Sequence, residues 1–301
     1  MIYLDRFTLP IDREVELIQA RMMYNAGALV YIDNIYPACL FSKKDLRELN
    51  FDDVTILYGG NGSGKSTLLN LIATKMGLER LAPYNGSELF PSYADACEFF
   101  MASDDDGNEY GIPEGSRMIT SDDVFDYMLA VRSNNQEIAE AIEDARDDYT
   151  RLKCGPTIRF SGMEDYEEHR AQVLARKKTR SRRTYIREAA GVESTLRSNG
   201  ETALEYFDTR LKAGTLYCLD EPENSLSPRL QLKLVEILRE VVHSGTQLII
   251  ATHSPFLLSM SGARIYDLDA SPVDIKNWWE LENTRTYYEF FKENAELFEN
   301  K

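Results

Sequence analysis

Val54-Thr-Ile-Leu-Tyr-Gly-Gly-Asn-Gly-Ser-Gly-Lys-Ser-Thr67 decides the fold. A short β-branched strand runs into a glycine loop, and a helical pattern follows at once. Inside the run, Gly59-x-x-x-x-Gly64-Lys65-Ser66 has the spacing of a phosphate-binding loop in its required strand–loop–helix setting. Gly59, Gly60, Gly62 and Gly64 carry no Cβ, so successive N–H groups, with those of Asn61 and Ser63, can turn inward around a phosphate chain. A helix beginning near Lys65 aims its positive dipole end at the same oxygens. Lys65 is then placed to reach the β- and γ-phosphates, and the Ser66 hydroxyl to ligate Mg²⁺. The stretch points to a bound nucleoside triphosphate.

Further along, Thr215-Leu-Tyr-Cys-Leu219 reads as a buried strand that ends in Asp220-Glu221-Pro222. Ligands of α/β sheets sit at the carboxyl ends of strands, where this acidic pair falls. Asp220 suits a second Mg²⁺ contact, and Glu221 can polarise the water that attacks the γ-phosphorus. A third apolar strand, Thr246–Thr252, delivers His253-Ser254-Pro255 to the same edge.

In these motifs the chain resembles the ATP-binding-cassette class of P-loop ATPases over roughly residues 25 to 270. The resemblance makes Gly59 to Thr67 the Walker A loop, Leu216 to Asp220 the Walker B strand and Glu221 the catalytic glutamate. Asn224-Ser-Leu-Ser227 matches the D-loop, and His253 the switch histidine. The family signature is reduced to Ser198-Asn-Gly-Glu201, so Ser198 and Gly200 are the residues that would cap the γ-phosphate held by a second copy. The wording Glu221-Pro-Glu-Asn-Ser-Leu-Ser-Pro228 is similar to the soluble RecF, SMC and overcoming-lysogenization-defect types and to small bacterial "AAA family" ATPases. No Q-loop glutamine is evident. Arg117-Met-Ile-Thr120 leads instead into Ser121-Asp122-Asp123, where an aspartate could meet Mg²⁺ or water, or cap a helix.

The fold the resemblance implies is α/β: a P-loop NTPase of ABC type with a mostly parallel central sheet, a flanking antiparallel sheet and an inserted helical lobe. Residues 1–301 are expected to form one ATPase domain, with the lobe at 121–197 inside it. Strand-like runs at Met1–Leu4, Ala28–Ile32 and Pro37–Phe41 suit the antiparallel sheet; Tyr36 could stack on adenine or pack in the core. Ala263–Asp269 reads as a last strand, and Thr284–Asn300 as an aromatic amphipathic helix that packs on the domain or docks a partner.

In the lobe, the steps from Ile138 through Ile142, Ala145 and Tyr149 to Leu152 are 4, 3, 4 and 3, a helical seam. Cys154-Gly-Pro breaks it, and a second helix over about Glu164–Ala190 makes a hairpin with arms near 40 Å at about 1.5 Å per residue. That second arm carries Arg176, Lys177, Lys178, Arg180, Arg182, Arg183 and Arg187. The run could bind nucleic-acid phosphates or pair with the acidic first arm. The formal net charge of −16 argues against nucleic-acid binding by the whole surface.

No apolar run approaches the roughly 20 residues that span a bilayer, and no charged-then-apolar leader opens the chain. Cys39, Cys97, Cys154 and Cys218 lack paired or metal-type spacing. The expected protein is therefore a cytoplasmic, membrane-free ATPase using ATP and Mg²⁺ in an ATP-dependent homodimer. It would act in DNA maintenance or anti-phage defence, alone or with a separate effector protein. A transporter's ATP-binding subunit and a nucleotide-gated scaffold are the alternative readings.

Overall fold

Three apolar segments set the architecture. β3 (Val54–Tyr58), β6 (Leu216–Asp220) and β7 (Gln247–Ala251) are buried along almost every residue, the pattern of strands covered on both faces. In the computed structural model they lie side by side in a six-stranded sheet of order β5-β6-β7-β3-β8-β9. β5 is Arg117–Thr120, β8 Arg264–Asp267 and β9 Asp274–Ile275. All neighbours pair parallel except β8 with β9. The described residues are 1–25, 36–38, 40–83, 86–158, 166–176 and 198–299.

The register positions the chemistry. Leu57 of β3 and Asp220 of β6 both sit opposite Ala251 of β7. The three strands therefore end level, and the segments leaving them, 59–64, 221–227 and 252–254, emerge at one sheet edge. A second sheet of order β2-β1-β4 is antiparallel, built from β1 (Leu4–Thr8), β2 (Glu48–Asn50) and β4 (Glu98–Met101). Gln247 ties the two sheets together. Its buried amide accepts from the Tyr3 and Leu4 N–H groups at 2.9 and 2.8 Å and donates to Leu4 O at 2.8 Å and Asp52 O at 3.2 Å. A buried amide satisfied at both ends can specify one sheet-to-sheet register.

The helices α1 (Asp12–Asn25), α2 (Lys65–Met76) and α3 (Phe90–Ala96) come from the N-terminal half. One face of α2, with Leu68, Leu69, Leu71 and Ile72, joins β1, β3 and β7 in the main apolar core. Burial pushes the Cys97 and Cys218 thiols up to about 12, so both stay protonated in that core.

The chain divides into two compact units, 1–125 with 203–301, and 126–202. The second contains most of α4 (Ser121–Cys154), all of α5 (Tyr166–Arg176) and the start of α6 (Asn199–Arg210). Its seam is real. Ala145, Tyr149 and Leu152 are buried, and Tyr149 and Leu152 cluster with Ala175, with Ala171 and Ile158 packed alongside. Side chains of α5 staple the turn after Cys154. Gln172 donates to Pro156 O and accepts from Ile158 N, both at 2.8 Å. Arg176 donates to Leu152 O, Gly155 O and Thr157 Oγ1 at 3.1, 2.6 and 3.0 Å. Gly155 belongs in that turn because a Cβ there would stand 2.4 Å from Arg151 O.

Four local expectations need correction or placing. The first strand is Leu4–Thr8, not Met1–Leu4. Residues 37, 38, 40 and 41 form turns before a 3₁₀ segment at Ser42–Lys44 rather than a strand. The tail is two helices, α9 (Glu282–Glu293) and α10 (Ala295–Glu299), parted at Asn294, whose side chain donates to Phe290 O at 2.8 Å. Such a side-chain bond offers the backbone an alternative to the helix. Ala28–Ile32 and Lys177, Lys178, Arg180, Arg182, Arg183 and Arg187 lie outside the described residues. Of the remaining helices, α7 spans Pro228–His243 and α8 Pro255–Leu258.

Candidate functional site

The loop from Gly59 to Gly64 needs its glycines for conformation and space. Gly64 sits at φ 106°, where its Cβ would also press on Leu40 and Phe41 at 3.0 and 3.1 Å. At Gly59 a Cβ would lie 2.5 Å from Ser63 Oγ. α2 starts at Lys65, so the loop ends on a helix N-terminus. Lys65 is buried, and its ammonium donates to Gly59 O at 2.7 Å and Gly60 O at 3.1 Å. The loop is anchored from outside by two further groups. Asp269 accepts from Gly60 N at 2.7 Å, and Lys44 donates to Ser63 O at 2.8 Å and to Leu268 O.

The sheet edge brings the acidic pair to this loop. Ser66 Oγ donates to Asp220 Oδ1 at 2.9 Å. Glu221 Oε1 stands 3.9 Å from Lys65 Nζ and 4.0 Å from His253 Nδ1. The Glu221 backbone lies in the left-handed region at φ 48°, with its N–H on Ala251 O at 2.9 Å. A non-glycine residue held there costs energy and recurs at functional sites. Asn224 Nδ2 holds the other carboxylate oxygen at 3.0 Å. Burial, and then the neighbouring Glu221 charge against the opposing Ser66 hydrogen bond, raises Asp220 to about 6. A carboxylate desolvated this way gains by meeting a cation.

A cleft of about 260 Å³ is lined by residues 61–67 and Glu221. Its backbone cradle, the Lys65 ammonium and the Ser66–Asp220 pair of hard oxygen donors fit a triphosphate with Mg²⁺. Lys65, Ser66, Asp220, Glu221 and His253 are thus gathered in the first unit. Ser198 and Gly200 stand in the second. There Ser198 and Glu201 form a reciprocal cap on α6: Ser198 N and Oγ donate to Glu201 Oε2 at 2.9 and 2.8 Å, and Glu201 N donates to Ser198 Oγ at 3.4 Å.

Of the two readings of 121–123, the helix start describes the contacts. Asp123 is buried and accepts from Thr120 N and Oγ1 at 2.7 and 2.9 Å and from Ala82 N at 2.9 Å. Tyr36 places its hydroxyl on Thr67 Oγ1. Glu223 escaped the sequence reading. It is buried and accepts from Thr252 Oγ1 at 2.5 Å and His253 N at 3.1 Å, so it braces the histidine segment from the loop after β6. Its signal was present, as the third acid of Asp220-Glu-Pro-Glu223. Lys44 and Asp269 gave none, since they reach the loop only through tertiary packing.

Residues 196–259 match the family model described as "AAA domain, putative AbiEii toxin, Type IV TA system". No curated protein matches the chain significantly. Among solved structures it is similar to the SMC head domain from Thermotoga maritima, with 14% identity over 91% of this chain and 98% of that one, at a TM-score of 0.37. An SmcHead bound to the C-winged helix domain of ScpA gives 13% identity over 76% of this chain and 93% of that one, at 0.37. "An inward-facing conformation of a putative metal-chelate type ABC transporter" gives 19% identity over 79% and 77%, at 0.35. These low scores do not carry the fold; strand order does. The loop strand β3 and the acidic strand β6 flank β7, which delivers His253 between them. With that order, the chain has a P-loop NTPase fold, and its motifs resemble those of the ABC-class ATPases.

Proposed function

We propose that the protein hydrolyses ATP with Mg²⁺ at the edge of the parallel sheet, in an ATP-dependent homodimer. The observation that carries this reading is the meeting of Lys65, the Ser66–Asp220 pair and Glu221 at the mouth of one glycine loop. Gly59 to Thr67 would hold the phosphates, and Ser66 and Asp220 the metal. Mg²⁺ bound there would neutralise charge on the β- and γ-phosphates. Glu221 would take the proton from the attacking water, with His253 beside it to orient the reacting groups. Residues 1–301 would work as one ATPase domain, with 121–197 as an inserted lobe. The Ser198 and Gly200 end of α6 would meet the nucleotide of a second copy, since a helix N-terminus suits phosphate. Light scattering of Glu221→Gln with and without ATP and Mg²⁺ tests this: dimer is expected only with nucleotide. A monomer with nucleotide demonstrably bound overturns the assembly.

We place its action in the cytoplasm, in anti-phage defence or DNA maintenance. The toxin–antitoxin wording of the matched family model supports the defence side. Among the described residues no helix is long and apolar enough to cross a membrane. The basic run Arg176 to Arg187 would add sequence-independent phosphate contacts that strengthen with ATP and weaken steeply with salt. Arg176 is already engaged in the hairpin turn, so the contacts would fall to the six basic residues after it. Changing Arg180, Arg182 and Arg183 together to Glu should abolish duplex binding at about 50 mM salt and spare basal turnover. If the wild type binds no duplex there with ATP present, a separate effector protein becomes the output instead.

A further inference from the structure

Beside His253, on the side of the C-terminal helix α9, lies a second and larger cavity of about 510 Å³. That volume falls in the range of small-molecule sites, roughly 300–1,000 Å³. Aromatic rings form much of its wall, among them Trp278, Tyr287 and Phe291. Tyr287 and Phe291 are four residues apart on α9 and half exposed, so one helix face presents both rings.

The polar groups of the lining carry the chemistry. Among the described residues of the lining, Glu223 is the acid and there is no lysine or arginine. Glu223 Oε1 already has two donors, from Thr252 and His253, and His253 Nδ1 faces that same oxygen at 3.9 Å. Glu223 Oε2 is buried with no hydrogen-bond partner among the described residues, and so is Thr284 Oγ1 of α9. An unpaired carboxylate oxygen away from water is costly, and a charged donor relieves that cost most fully. Rings around an acid also favour cations through their electron-rich faces.

We propose that this cavity binds a small organic cation: an amidinium, guanidinium or alkylated ammonium group on an aromatic or apolar body. The charged head would donate to Glu223, and the body would lie against Trp278, Tyr287 and Phe291. Because Glu223 also holds the backbone of His253, an occupant would act on the segment that faces Glu221. Binding itself does not depend on the ATPase reading.

The chain's two tryptophans are Trp278 and Trp279, so its intrinsic fluorescence reports on this wall directly. Titrating the full-length protein with benzamidine should give a saturable change. Benzamide, its neutral counterpart, should bind at least about tenfold more weakly, the difference expected for a charge-assisted hydrogen bond. Glu223→Gln should bring benzamidine down to the benzamide level. Phe291→Ala, at an exposed helix position, should weaken both probes with the circular dichroism spectrum unchanged. It keeps the test decisive if Glu223→Gln misfolds. No saturable change with benzamidine, equal binding of the two probes, or full affinity in Phe291→Ala overturns the proposal. None of these results bears on ATP turnover.

Discussion

The end of the parallel sheet and the helical hairpin hold their polar groups in opposite ways. At the sheet end, Ser66 meets Asp220 across 154 residues of chain, and Gly60 meets Asp269 across 209. These contacts exist only while β3, β6, β7 and β8 keep their register. In the hairpin, Arg151 pairs with Asp148 three residues back and Glu168 seventeen residues on, both exposed. Among the described residues, Tyr149, Leu152 and Ala175 form the hairpin's buried cluster. The first region is fixed by partners distant in the chain; the second is fixed by partners near in the chain. A site that must place charges to fractions of an ångström belongs on the first kind of scaffold.

The sharpest way to break that contrast is at Glu221. Its carboxylate is held by Asn224 and sits 3.9 Å from Lys65. Glu221→Gln keeps shape and removes the base, so phosphate release from ATP should fall by roughly 10²–10⁴-fold. Binding of a fluorescent ATP analogue should persist. Wild-type turnover in this variant would remove Glu221 from the chemistry and require another base for the attacking water.

Stability offers the next comparison. Ile250, in the central strand β7, is fully buried between β3 and β6. Ile250→Ala should cost about 4–5 kcal/mol, the upper part of the range for such truncations. Leu152→Ala, in the hairpin's small cluster, should fall near the lower end, about 2 kcal/mol, because few neighbours surround the gap. Urea unfolding of both variants checks this. Equal losses would mean that the hairpin is as tightly specified as the sheet.

This same division governs what could be read from the chain. β3, β6, β7 and β8 were legible because each is a short strand-like run closed by a distinct motif: the glycine loop, the acidic pair, His253-Ser-Pro and Asp267-Leu-Asp. So were Lys65, Ser66, Asp220, Glu221 and His253, since each lies within a few residues of the strand that positions it. What stayed hidden depends on register or on distant partners. Gln247 reads as a polar interruption of a strand, yet it joins the two sheets. Lys44 and Asp269 are ordinary surface residue types until packing sets them against the loop. Ser198-Asn-Gly-Glu201 was read only as a shortened signature, although its Ser-x-x-Glu is also the pattern of the capping box it forms.

Asp220 gives a pH test of the sheet end. Its folded value of about 6 lies above the ordinary 3.8. Below pH 4 both folded and unfolded chains hold this proton, so the residue costs nothing. As pH rises from about 4 to 6 the folded chain holds the proton more tightly, and stability is lost. Asp220→Asn lacks this titration. In buffer free of Mg²⁺ and nucleotide, its melting temperature should gain on the wild type between pH 4 and 6, then keep a constant lead. Adding Mg²⁺ with ATP should reverse the order at pH 7, because the carboxylate then has its cation. A constant difference from pH 4 to 7 would mean that Asp220 is ordinarily solvated and that the sheet end does not strain it.

The smallest expected effect separates the two roles of Ser198. As a cap, its hydroxyl satisfies the start of α6 together with Glu201. Ser198→Ala should then cost about 1 kcal/mol. Glu201→Ala removes the reciprocal half of the cap and should cost a similar amount. If capping is the whole role, the two variants should lower the melting temperature alike and leave ATP turnover alike. If Ser198 also reaches the nucleotide of a second copy, turnover should fall well below that of Glu201→Ala while the melting temperatures remain matched. Assembly offers an independent readout in the Glu221→Gln background, where adding Ser198→Ala should raise the protein concentration needed for ATP-dependent dimerisation and adding Glu201→Ala should not. Matched turnover and matched dimerisation would assign the serine to the local hairpin scaffold, and the phosphate contact in the dimer would have to come from elsewhere on the chain.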